Sequence, residues 1–190
     1  MNAKTPSRKT GLRQKAQLMS ASEIERTLVR LAYEIVEKNG GVSGLGLVGI
    51  RRRGVPIAER LGKIITRIEN AAKVPVGTLD ITFYRDDLST LGPKPVVQEK
   101  EIGFEIEDKN IVLVDDVLFT GRTTRAALDA LFSHGRPRRV QLCVLIDRGH
   151  REIPVEATFV GRNVQTTDNE VIEVKLTEID EAEKVLLMEK

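Results

Sequence analysis

Asp115 and Asp116 are adjacent carboxylates that follow four apolar residues, Ile111 to Val114, and precede the run Val117-Leu118-Phe119-Thr120-Gly121-Arg122-Thr123-Thr124. A continuous β-branched and Leu run predicts a central parallel strand, and the crevice where such strands end is where α/β sheets hold ligands. Two acids at that point accept hydrogen bonds from a diol. The Thr-Gly-Arg-Thr-Thr turn leads into a helix, so its backbone N–H groups, the hydroxyls of Thr120, Thr123 and Thr124 and the helix dipole make an anion pocket. A diol held by carboxylates beside a cradled phosphate describes a ribose 5-phosphate site. A strand-to-helix turn with a capping Asp or Thr is the plainer reading, but it leaves two successive acids after a buried run unexplained.

Basic residues supply the second chemical signal. The formal net charge of +2 excludes a bulk polyelectrolyte binder, yet Arg51-Arg52-Arg53 before Gly54 and the set Arg136, Arg138 and Arg139 are clusters suited to phosphate groups. Surface charge is the alternative for each. Lys4, Arg8, Lys9, Arg13 and Lys15 stand in a Ser/Thr/Lys-rich opening without periodicity, which predicts a mobile basic arm over residues 1–17. Gly44-Leu45-Gly46-Leu47-Val48-Gly49 matches G-x-G-x-x-G, but a dinucleotide fingerprint needs a strand before it and a helix directly after. Here the motif is itself apolar enough to be the strand, so the match is by chance. His134 and His150 lack metal-ligand spacing, and His134 reads as a helix cap. The lone cysteine, Cys143, lies in the apolar run Leu142 to Ile146 and reads as a buried small hydrophobe. One cysteine allows no internal disulfide, which favours a cytoplasmic location. No apolar stretch approaches the length of a membrane span.

The elements that position these groups are read from periodicity. Ser22 to Asn39 predicts a helix: Ser22 and Glu25 have capping-box spacing, Ile24, Leu28, Leu31 and Ile35 share a face, and Gly40 can end it. Leu45 to Ile50 predicts a buried strand. Pro56 to Ile68, with Ile57, Leu61, Ile64, Ile65 and Ile68, predicts an amphipathic helix. Val76 to Tyr84 reads as a strand. Residues 85–101 are polar and hold Gly92, Pro93 and Pro95, the composition of a long functional loop, and are expected to form a mobile lid. Thr124 to Phe132 predicts a helix, Arg139 to Ile146 a buried strand, and Thr158 to Val160 and Val171 to Leu176 later strands. Alternation of strand and helix predicts a mostly parallel α/β sheet. At 190 residues and 41% hydrophobic content, residues 18–190 fit one domain with its own core.

The stretch Ile111 to Thr124 resembles, nearly residue for residue, the phosphoribosylpyrophosphate (PRPP) signature of type I phosphoribosyltransferases. The wider chain, roughly residues 18–180, is similar to the bifunctional pyrimidine operon regulator/uracil phosphoribosyltransferase family. It is so through Leu47-Val48-Gly49-Ile50 with Arg53-Gly54, Leu79-Asp80-Ile81-Thr82 with Tyr84-Arg85-Asp86-Asp87-Leu88, Gly135-Arg136-Pro137, and Val144 to Glu152. The resemblance implies the type I phosphoribosyltransferase fold, a mostly parallel twisted sheet flanked by helices, with a flexible hairpin lid and a hood.

It also implies the reaction PRPP + uracil → UMP + pyrophosphate, with Mg²⁺ brought by PRPP and no protein side chain as its expected ligand. Asp115 and Asp116 would hold the ribose hydroxyls and favour an oxocarbenium-like transition state. Residues Val117, Leu118, Phe119, Thr120, Gly121, Arg122, Thr123 and Thr124 would anchor the 5-phosphate. Arg51, Arg52, Arg53 and Gly54 would receive pyrophosphate, and Arg85 would close over it from the lid; an Arg85 paired with Asp86 or Asp87 is the alternative. Arg148, Val160 and Arg162 would belong to the hood that faces the base. A homodimer or higher homo-oligomer is implied as well.

Many members of that family bind a stem-loop of the pyrimidine-operon mRNA in response to UMP or PRPP, causing attenuation. Arg138, Arg139, His150 and Arg151 are the residues expected to meet such an RNA. Aromatic content of 4% argues against a stacking platform. Three positions depart from the family pattern: Arg52 replaces a Thr in the arginine loop, Tyr33 a His on the first helix, and Gln165 a Pro in the hood. A phosphoribosyltransferase without an RNA role, or one acting on purines, are the alternatives.

Overall fold

The computed structural model describes residues 11–70, 73–84 and 102–190. In chain order they form β1 (Arg13–Ser20), α1 (Ala21–Asn39), β2 (Leu45–Ile50), α2 (Gly54–Ile68), β3 (Val76–Leu79), β4 (Asn110–Leu118), α3 (Arg122–Phe132), β5 (Arg139–Asp147), β6 (Phe159–Asn163), β7 (Glu170–Lys175), α4 (Thr177–Asp180) and β8 (Lys184–Glu189). Strands β3-β2-β4-β5-β6 make a parallel sheet in that order, and β1-β8-β7 make a separate antiparallel sheet.

The parallel sheet is covered on both faces, which is why its central strands carry continuous apolar runs. Val112, Val114, Cys143 and Leu145 pack with α1, α2 and the antiparallel sheet. Leu113, Val144 and their neighbours pack with α3 on the other face. The G-x-G-x-x-G stretch is β2 itself, and its last glycine, Gly49, lies so close to α2 that a Cβ would stand 2.6 Å from the Gly54 carbonyl oxygen.

Several boundaries differ from the sequence expectation: α2 and α3 each begin two residues earlier, at Gly54 and Arg122, and four further differences have a visible cause. The cap of α1 lies two residues earlier, at Ser20 instead of Ser22, because β1 delivers the chain to Ser20 and the Glu23 carboxylate accepts from the Ser20 backbone N–H at 2.8 Å and hydroxyl at 2.7 Å. Gly40 ends it as expected, at φ 65°. Strand β3 stops at Leu79 instead of running to Tyr84: the Asp80 carboxylate takes the Thr82 N–H at 2.9 Å and hydroxyl at 2.6 Å, and that side-chain turn redirects the backbone. Strand β4 does not end at Val114 but continues through both acids to Leu118. Residues 13–17, expected in the arm, are strand: Arg13 pairs with Glu189 at 2.9 Å and Lys15 with Glu170 at 2.5 Å, so their charges are tied to β8 and β7. Residues 1–10 of the expected arm, and the expected lid 85–101 with Arg85, lie outside the described residues.

Candidate active site

The crevice follows from strand register. Strand β2 pairs with β4 only as far as Gly49 opposite Val114, whereas β5 pairs with β4 as far as Asp147 opposite Leu118. Residues Asp115 to Leu118 therefore extend past β2, at the point where the chain goes outward to β3 on one side and to β5 and β6 on the other. That reversal of strand order is where open α/β sheets bind ligands.

Two helix starts converge there. Gly54 opens α2 hard against β4: a Cβ at this position would lie 2.2 Å from the Val114 carbonyl oxygen. Gly121 precedes α3 at φ 90°, a conformation that suits glycine, and a Cβ there would lie 2.6 Å from a Val155 methyl. The first-turn N–H groups and the helix dipole at both starts favour anions. Thr124 is buried at the start of α3, while Thr123 and Arg122 are exposed.

Asp115 is almost fully buried and its oxygen accepts the Asp116 N–H at 2.9 Å, while Asp116 accepts the Val117 N–H at 2.9 Å. Burial, and then the negative charge of Asp116, hold the Asp115 carboxyl well above the ordinary carboxylate range. Burial also raises Asp116, with the Arg53 guanidinium among the groups opposing it. Two acids pressed toward neutrality in a crevice form a site that gains when cationic charge arrives beside them.

A model of the phosphoribosyl transferase domain matches residues 15–179. The Bifunctional protein PyrR of Thermus aquaticus is 57% identical over 179 residues, covering 94% of this chain and 98% of that one. This chain belongs to the phosphoribosyl transferase family, in its bifunctional PyrR branch. The PyrR protein of Pelotomaculum thermopropionicum is 56% identical over 177 residues, 93% of this chain and 97% of that one. Among solved structures, a hypoxanthine phosphoribosyltransferase from Trypanosoma cruzi superposes with a TM-score of 0.72 at 19% identity, over 92% of this chain and 95% of that one, which shows a shared fold.

Within this phosphoribosyl transferase fold the arginine loop lies between β2 and α2, and its three side chains are used differently. Arg51 reaches Asp80 at 3.2 Å, and its N–H binds the Leu79 carbonyl at 3.0 Å. Arg53 forms a two-pronged bond with Asp180, at 2.6 and 3.2 Å. Arg52 is exposed and makes no hydrogen bond or ion pair among the described residues. The Arg51–Arg52 peptide is cis.

The loop after β5 braces the turn that leads from β4 to α3. Arg148 N–H binds the Leu118 carbonyl at 3.1 Å, and the N–H groups of Glu152 and Ile153 bind the Thr120 carbonyl at 2.9 and 3.0 Å. The Arg148 guanidinium, buried, lies 4.0 Å from the Phe119 ring centroid and donates to Thr166 Oγ1, Thr167 O and Glu170 O. His150 meets the edge of the same ring and bonds the Thr166 carbonyl at 2.6 Å. Arg151 pairs with Asp147 and donates to the carbonyls of Phe119, Gly149 and Val155.

Of the three expected hood residues, only Arg148 is brought against the turn between β4 and α3. The Val160 carbonyl is taken by Arg30 of α1 at 3.1 Å, and Arg162 donates to the Leu18 carbonyl of β1. The four residues expected to meet RNA do not form one surface. Arg138 and Arg139 are exposed at the start of β5, whereas His150 and Arg151 follow its far end and are engaged in the loop.

Sequence reasoning missed the acids of the carboxyl-terminal segment. Glu178, Asp180 and Glu183 face Arg60 and Arg53 across more than a hundred residues of sequence. The spacing of Arg53 and Arg60, two helical turns, was the one local hint of a shared face.

Proposed function

We propose that this chain transfers the 5-phosphoribosyl group of PRPP to uracil, forming UMP and pyrophosphate, and that the same pocket senses UMP and PRPP to control binding of a pyrimidine-operon mRNA stem-loop. The reading is carried by the Asp115–Asp116 pair placed in the β2–β4 crevice between two helix starts. The names of the PyrR relatives support it.

In the reaction the bond from ribose C1 to the pyrophosphate oxygen breaks and a bond from C1 to uracil N1 forms, with the N1 proton passing to solvent. Asp115 and Asp116 hold the ribose hydroxyls, and their charge favours the cation developing at C1. The turn Phe119 to Thr124 takes the 5-phosphate. The loop Arg51 to Gly54 takes the leaving pyrophosphate, with Arg52 the side chain of the three that is uncommitted among the described residues. Two carboxylates without a third His, Cys, Asp or Glu beside them among the described residues fit a metal carried on the substrate. Mg²⁺ bound with PRPP supplies charge neutralisation to the leaving group. Arg85 from the lid adds a further cation to the pyrophosphate. The active form is a homodimer or higher homo-oligomer in the cytoplasm.

The test is product analysis with PRPP and Mg²⁺ offered uracil, hypoxanthine and guanine in turn. UMP formation from uracil, without comparable turnover of the purines, is the expected result; turnover of a purine alone would overturn the assignment. A gel shift of the operon leader against a scrambled stem-loop tests the RNA role, with UMP expected to strengthen leader binding. Charge reversal at Arg138 and Arg139 is expected to weaken RNA binding and to lessen its salt dependence while sparing UMP formation.

A further inference from the structure

Helix α4 is a single turn with no buried residue, and its hold on α2 is ionic. Arg60 donates to Glu178 at 2.6 and 2.7 Å and to Glu183 at 2.5 and 3.0 Å. Arg53, two turns earlier on the same face, is gripped by both oxygens of Asp180. Asp180 in turn accepts the backbone N–H of Leu176 at 3.1 Å, and Leu176 is fully buried, so this carboxylate is anchored to the core. A cavity of about 800 Å³ has Arg51 and Arg52 on one wall and Glu178 and Ile179 of α4 on another.

Arg53 is thus held by Asp180 of the tail, while the next residue, Gly54, is seated against Val114 and Asp115 of the crevice strand, and the charge of Asp116 also acts on the Arg53 guanidinium. An arginine free to choose would move toward Asp116, neutralising a ribose-binding acid and withdrawing a cation from the loop. We infer that Asp180 is a positioning residue for the diphosphate: it holds the Arg53 guanidinium away from Asp116 and fixes the arginine loop in its receiving shape. The benefit is preorganisation, since a loop already in place loses less freedom when the ligand binds. This inference rests on reading residues 51–54 as the pyrophosphate loop.

The test compares wild type, Asp180→Asn, Asp180→Glu and Glu183→Gln, by calorimetric titration with pyrophosphate and Mg²⁺ and by initial rates. Asp180→Asn is expected to weaken pyrophosphate binding and raise the KM for PRPP about tenfold, roughly 1.4 kcal/mol, with the KM for uracil unchanged. Asp180→Glu is expected to restore most of the loss. Glu183→Gln loosens the Arg60 half of the clamp away from that cavity and is expected to lower Tm as much as Asp180→Asn while leaving pyrophosphate binding near wild type. Equal pyrophosphate binding by wild type and Asp180→Asn overturns the positioning role and leaves the loop assignment intact. Equal losses of binding in Asp180→Asn and Glu183→Gln reduce Asp180 to a structural contact. Absence of pyrophosphate binding in the wild type removes both the inference and the loop assignment.

Discussion

A carboxyl held above its ordinary range by burial keeps a proton that the unfolded chain releases, so its effect on stability has a definite sign. For Asp115 the folded form is favoured below the ordinary carboxylate pKa, and that contribution disappears as pH rises through the elevated folded value. At neutral pH the residue is therefore a cost to folding. Asp115→Asn removes the charge and leaves a side-chain oxygen to accept the Asp116 N–H. It is expected to raise Tm at pH 7 while lowering UMP formation by about 100-fold or more, the scale on which lost electrostatic stabilisation of a transition state is felt. Melting at pH 4 as well provides the check, because the gain should shrink there; a lower Tm at pH 7 would show the acid to be fully compensated in the fold. The identity of this residue was legible in the sequence from its place after a buried run. The fate of the arginines was not, because Arg51, Arg52 and Arg53 are alike in type and differ only in what the tertiary fold sets against them.

Among the elements, α2 has the tightest seat. Gly54→Ala places a methyl 2.2 Å from the Val114 carbonyl oxygen, a backbone atom that cannot rotate away. The helix start must lift off β4, so a destabilisation of about 1–3 kcal/mol is expected, together with loss of PRPP affinity in titrations of the folded protein. A variant with wild-type Tm and affinity would show that the loop tolerates the shift. Helices α1, α2 and α3 and strands β2 and β5 were readable because each repeats its apolar residues at its own period over enough length. Strands β1 and β8 were not: they pair with each other across the whole chain, Arg13 opposite Glu189, and no local pattern announces so distant a partner. The end of β3 was misjudged because Asp80 and Thr82 close a turn inside a run that still looks strand-like. The end of β4 was misjudged because acids ordinarily mark a strand's exit, whereas β5 continues to pair alongside these two.

At the scale of the molecule, the parallel sheet separates its two ends. The crevice stands at the carboxyl ends of β2 and β4, and the exposed Arg138–Arg139 pair at the opposite end of β5. Between them, at the centre of β5, sits the only sulfhydryl of the chain, Cys143, fully buried and with its thiol pushed by that burial to about 12. A thiol there meets an aqueous disulfide reagent only when the sheet comes apart, so its rate of modification is a clock for global opening rather than for motion at the surface. Ligands that bind only the native form slow such a clock by mass action. At one hundred times its Kd, PRPP with Mg²⁺ should add about 2.7 kcal/mol and retard labelling about 100-fold, whereas an anion that merely decorates Arg138 and Arg139 weakly should barely register. Labelling that stays rapid in saturating PRPP would mean that β5 is reached through a local opening. A single unmodified thiol thus gives the protein an intrinsic assay for occupancy of its crevice, one that needs neither turnover nor a chromophore in the substrate.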